Sequence, residues 1–108
     1  GSDSDVAGVH EDIVAHSFIF DRPFDMLKLR HWMQVLLMIQ GEGIYRVKGV
    51  LDVEYQDRKV ILQSVRKAYS FSIGAEWPEG PRQSRIVFIG KNLKKEILEK
   101  NLKQLMAN

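Results

Sequence analysis

The chain has 108 residues, 44% hydrophobic and 28% charged, a balance that excludes long disorder, a fibrous repeat and more than one ordinary domain. Its 16 Lys and Arg against 14 Asp and Glu leave a net charge of +2, too small to mark a nucleic-acid binder. The absence of Cys excludes a disulfide framework, a thiolate zinc site and a Cys nucleophile, and the expected location is cytoplasmic. No apolar run approaches the roughly 20 residues of a membrane span, the longest being Val35 to Ile39.

Residues 1–9 are small, acidic and aperiodic, and Gly1-Ser2 without an initiator Met reads as the remnant of a cleaved tag on an excised piece of chain, followed by a linker. The domain proper is expected over residues 10–108. The β-branched and aromatic run Ile13 to Phe20 predicts a strand that stops at Asp21-Arg22-Pro23. Pro23 and Asp25 form a helix entry, and Met26, Leu29, Met33, Leu36 and Leu37 recur at helical spacing up to about Gln40, where Gly41 and Gly43 supply the stop. From Ile44 to Tyr55 alternation predicts a long strand, with Tyr45, Val47, Leu51, Val53 and Tyr55 on one face and Arg46, Lys48, Asp52 and Glu54 mainly on the other.

After Gln56-Asp57 a strand from about Arg58 to Val65 is expected to continue through Tyr69, Phe71 and Ile73, with a register change near Lys67-Ala68. Gly74 to Gln83 reads as a loop around Trp77, and Ile86-Val87-Phe88-Ile89 as a compact strand closed by Gly90. Asn92 then caps a last helix whose stripe is Leu93, Ile97, Leu98, Leu102, Leu105 and Met106. The expected fold is α+β: a two-layer sandwich with a mainly antiparallel four-stranded sheet, two helices on one face, and the order β-α-β-β-β-α.

The chain carries no Walker loop, no His-Glu-x-x-His, no Ser elbow between glycines and no paired carboxylates in an apolar context, so this piece is not expected to be an enzyme. Arg46 and Lys48 share one strand face about 7 Å apart and can hold a phosphate or a carboxylate; pairing with acidic neighbours across the sheet is the alternative. Gly49 beside them reads either as a close approach to that site or as a packing position. Arg82 and Arg85 offer a second anion contact, while a loop Arg stacked on Trp77 competes for Arg82. His10 and His16 bracket Glu11-Asp12 and can gather a divalent cation, although the spacing matches no zinc signature and solvated linker residues are the simpler reading.

In order along nearly the whole chain stand Ser17-Phe18, Pro23-Phe24-Asp25 with Leu29 and Trp32, Arg46-Val47-Lys48-Gly49-Val50-Leu51, Gln63-Ser64-Val65, Trp77, and Arg82-Gln83-Ser84-Arg85-Ile86-Val87-Phe88-Ile89-Gly90. These pieces resemble the C-terminal domain of the CobW family of P-loop GTPases, whose Gln-Gly-Val is here Gln63-Ser64-Val65. The resemblance implies a parent protein in which an N-terminal domain binds GTP with Mg and drives delivery of zinc or cobalt to a client metalloprotein, in settings that include cobalamin biosynthesis and zinc homeostasis. It also implies that the nucleotide and Cys-rich metal motifs lie in that N-terminal domain, and that His10-Glu11-Asp12 is the remnant of a His-rich stretch. This domain is then expected to dock or regulate, with Arg46, Lys48, Gln63, Arg82 and Arg85 meeting the GTPase domain or the client. A reading of another class is a small RNA-binding sheet in which Tyr45, Tyr55, Tyr69 or Phe71 stack bases beside Arg46 and Lys48. The small net charge and the core-facing parity of Tyr45 and Tyr55 argue against it.

Overall fold

The computed structural model describes residues 13–108, so the expected linker and His10 lie outside the described residues. Five strands and two helices follow one another as β1 (Ile13–Phe20), α1 (Met26–Gln40), β2 (Ile44–Leu51), β3 (Arg58–Val65), β4 (Ala68–Glu76), β5 (Ser84–Lys91) and α2 (Lys95–Lys103). The strands form one antiparallel sheet in the order β1-β5-β2-β3-β4. The α+β class holds, but the sheet has five strands, not four.

The extra strand arises at Arg66-Lys67. Val65 pairs with Ala68 across a two-residue turn in which Arg66 adopts φ 57°, so the chain reverses where a register change was expected. No Gly, Asn or Pro marks this turn. Its left-handed residue is steadied instead by its own contacts: the Arg66 amide donates to the Tyr45 carbonyl at 3.2 Å and its guanidinium lies 4.7 Å from the Tyr45 ring centre.

β2 is shorter than the alternation predicted, ending at Leu51. A register shift between Ile44 and Arg46 makes Tyr45 an extra residue, so the buried side of β2 is Ile44, Val47, Gly49 and Leu51. Beyond the strand, Tyr55 sits in a turn at φ 68° and is 97% exposed, contrary to its expected place on the core face. Gly49 is a packing position: a Cβ there would meet Leu51 Cδ2 at 3.2 Å and Ile86 Cγ1 at 3.3 Å.

Both helices lie on one side of the sheet. Leu29, Met33, Leu36 and Leu37 of α1, with Leu98 and Leu102 of α2, join Phe18, Val47, Leu51, Val60, Leu62, Ile86 and Phe88 in a single core. Trp32 meets Phe88 edge-to-face at 5.9 Å and holds α1 over β5, and Phe18 of β1 meets the same ring edge-to-face at 6.0 Å. Asp25 caps α1 by accepting the Lys28 amide at 3.0 Å. α2 starts later than expected, at Lys95: Asn92 takes φ 59° and cannot cap, the N-cap is Lys94 without a side-chain bond, and Ile97 is 55% exposed instead of in the stripe. Glu96 in its first turn and Lys100 and Lys103 in its last complement the helix dipole. None of the helices among the described residues is long and apolar enough to cross a membrane.

The segment Pro23-Phe24-Asp25 joins three parts of the chain. Phe24 donates to Asp52 O and accepts from the Glu54 amide, both at 2.9 Å, while Asp25 N donates to Leu105 O at 2.8 Å and Ala107 N to Pro23 O at 2.9 Å. The Phe24 ring is fully buried and meets Phe20 edge-on at 5.7 Å. Truncation there leaves a cavity at the point where the start of α1, the end of β2 and the C-terminal segment meet. Phe24→Ala is expected to cost about 3–5 kcal/mol, read as a lowered urea midpoint, whereas a loss under about 1 kcal/mol would show that the segment is peripheral.

Candidate docking face

The sheet side away from the helices is built by alternation. β2 points Arg46, Lys48 and Val50 outward, and β5 points Arg85, Val87 and Ile89; the register sets Arg46 against Ile89, Lys48 against Val87 and Val50 against Arg85. β3 adds Gln63 opposite Lys48 and Ile61 opposite Val50. The result is a shallow depression of about 420 Å³ with a floor of Val50, Val87 and Ile89 and a rim of Arg46, Lys48 and Arg85. None of these three cations makes an ion pair or a hydrogen bond with the described residues. The alternative of cross-strand pairing with acids therefore does not hold here: Asp52, expected on this face, is buried and bonded elsewhere.

Arg82 behaves differently from Arg85. Its Nη1 lies 3.6 Å from Asp52 Oδ1 and donates to the Gln56 carbonyl at 3.2 Å, bracing the loop after β4 against the turn after β2. The Asp52 amide in turn donates to the buried Ser84 hydroxyl at 2.8 Å, so the start of β5 and the end of β2 are tied at the same place. The cation over Trp77 is Lys59, 5.5 Å from the ring centre, and not Arg82. Gln63, by contrast, is exposed beside Lys48, so the outer face gathers Arg46, Lys48, Gln63 and Arg85. Ser64 points inward and its hydroxyl accepts the Val47 amide at 2.9 Å, which keeps β3 in register beneath Gln63.

His16 lies on the helix side of β1, with Nε2 2.9 Å from the Leu93 carbonyl, an arrangement that holds the chain leading into α2. Among the described residues no group of three or more His, Asp or Glu side chains comes together as a metal site. Tyr69 and Phe71 point toward the core from β4, on the side opposite Arg46 and Lys48, so stacking rings and cations do not share a surface as an RNA platform requires.

Sequence reading missed the apolar floor: Ile86-Val87-Phe88-Ile89 reads as one compact apolar strand, with no face assigned to Val87 and Ile89. The signal was there: in an antiparallel strand a run apolar at every position has two faces to cover, and two helices on one side cover one of them.

The model of the cobalamin synthesis protein cobW C-terminal domain matches residues 13–106. The chain belongs to this family. The zinc chaperone YjiA of Escherichia coli strain K12 is 28% identical over 91 residues, which are 84% of this chain and 29% of that protein. The crystal structure of zinc-bound YjiA GTPase from E. coli superposes with a TM-score of 0.82 at 25% identity, over 95% of this chain and 32% of that one. A zinc-bound triple mutant of YjiA GTPase gives 0.82 at 26% identity, over 89% and 30%. This cobW C-terminal domain thus spans about a third or less of the relatives it matches.

The two kinds of cation separate by experiment. Arg82→Ala is expected to lower stability by about 1 kcal/mol, since it removes a half-exposed bond and ion pair. Arg46→Ser and Lys48→Ser should stay within about 0.5 kcal/mol of the parent chain. Urea melts of the three variants check both, and a large loss from Arg46→Ser or Lys48→Ser would make those cations structural.

Proposed function

We propose that this chain is the C-terminal docking and regulatory domain of a CobW-like, GTP-dependent zinc chaperone, with GTP, Mg and nucleotide hydrolysis belonging to the preceding part of a longer parent protein. The observation that carries the docking role is the set of three cations, unpaired among the described residues, around an apolar floor. Arg46, Lys48 and Arg85 pair with none of the described residues, and they keep a helix-free face positively charged. Such a face attracts a carboxylate-rich protein surface with an apolar centre: the charges speed and orient encounter, and burial of Val50, Val87 and Ile89 slows departure. Zinc is the metal favoured over cobalt, because the relatives above are a zinc chaperone and zinc-bound GTPases. In this reading the partner is either the GTPase domain of the parent or a client metalloprotein in the cytoplasm.

The test uses the full-length parent carrying Arg46→Ser and Lys48→Ser together. Either GTP turnover or client association should fall, the latter by about 10- to 100-fold at low salt and by much less when salt screens the encounter. Unchanged values for both would contradict the docking role.

A further inference from the structure

The helical layer leaves a second surface uncovered, and its chemistry differs from that of the sheet face. α1 carries only two formal charges, and both are turned to its flanks: Lys28 Nζ lies 3.4 Å from the Met106 carbonyl and the Arg30 guanidinium 5.3 Å from the Phe71 ring centre. From Trp32 to Gln40 the helix has no charged residue, yet Val35, Met38 and Ile39 are 36%, 72% and 74% exposed. Ile97 of α2, 55% exposed, stands across a small cleft from Leu36 and Gln40 and extends the strip. The exposed positions of these turns are Gln34, Val35, Met38, Ile39 and Gln40, an uncharged apolar strip between two amides, and an exposed apolar strip of this kind marks a surface that another body covers.

The position of the strip names the occupant. In a protein of which this is the C-terminal domain, the preceding part reaches it through residue 13, the start of β1. Ile13 pairs with Lys91, Lys91 N donates to Gly43 O at 2.8 Å, and Gly43 N donates to Gln40 O at 2.9 Å, so the point of entry lies a few backbone links from the last turn of α1. A domain tethered there meets the strip at the high local concentration of a covalent neighbour.

We propose that the exposed side of the last turns of α1, with Ile97, is the seat of the parent's own preceding domain, which leaves the cationic sheet face for the client. This rests on the reading of the chain as the C-terminal part of a longer chaperone and decides between the two partners that reading allows.

The experiment compares two single substitutions at exposed positions in the full-length parent, Met38→Cys and Gln63→Cys. Maleimide modification is followed by mass spectrometry on the peptide that carries each site, so other thiols do not interfere. The Met38→Cys thiol is expected to react at least about 10-fold more slowly than the Gln63→Cys thiol, with the difference abolished in denaturant. Equal rates would overturn the proposal, and slower reaction at Gln63→Cys would overturn it by placing the preceding domain on the sheet. The readout needs neither GTP nor zinc, so it stands or falls apart from the chaperone activity itself.

Discussion

The structure depends on the junction at Phe24. Backbone bonds on one side of this residue hold the segment after β2, and bonds on the other side of its neighbours hold the C-terminal segment from Leu105 to Ala107. Its ring fills the space between, while Asp25 next to it caps α1. One short segment thus places the first helix, the end of the central strand and the end of the chain relative to one another. That arrangement brings both helices to one face of the sheet.

A single helical layer has a consequence for the other side. β5 is the second strand of a five-stranded sheet and is apolar at Ile86, Val87, Phe88 and Ile89; its inward residues are covered by α1, and its outward residues are not. The exposed apolar floor is tolerable because Arg46, Lys48 and Arg85 surround it, keeping it hydrated and discouraging self-association through mutual repulsion. Charge is supplied differently at Arg82, whose partner Asp52 lies within the domain. Two arginines three residues apart therefore have separate tasks, one bracing a loop and the other facing outward.

Much of this was legible in the sequence where local chemistry and tertiary packing agree. β1, the span of α1, its entry at Pro23-Asp25, and the outward direction of Arg46 and Lys48 follow from periodicity and capping. The β3–β4 turn was not legible, because Arg66-Lys67 lacks turn residues and its strained backbone is held by Tyr45, a residue distant in sequence. The bulge took Tyr45 out of the alternation of β2, and Tyr55 left it for another reason: the strand ends at Leu51 and the chain turns at Tyr55 with φ 68°. At Arg82, composition was ambiguous, and only the fold brings Asp52 and Gln56 within reach. The resemblance to the CobW family, carried by the Arg-x-Lys-Gly and Ser-Arg-x-Val-Phe-Ile-Gly strands, pointed to the same outer face that the structure leaves open.

The central claim is a division between two uncovered surfaces, a neutral apolar one beside the chain entry and a cationic one at the middle of the sheet. Methyl NMR of this chain, labelled at Ile, Val and Met and titrated with the separately produced preceding domain of its parent, tests it most directly. The division predicts shifts or broadening at Val35, Met38, Ile39 and Ile97 with Val50, Val87 and Ile89 unmoved. The reverse pattern, with Val50, Val87 and Ile89 responding and the α1 methyls silent, would contradict it.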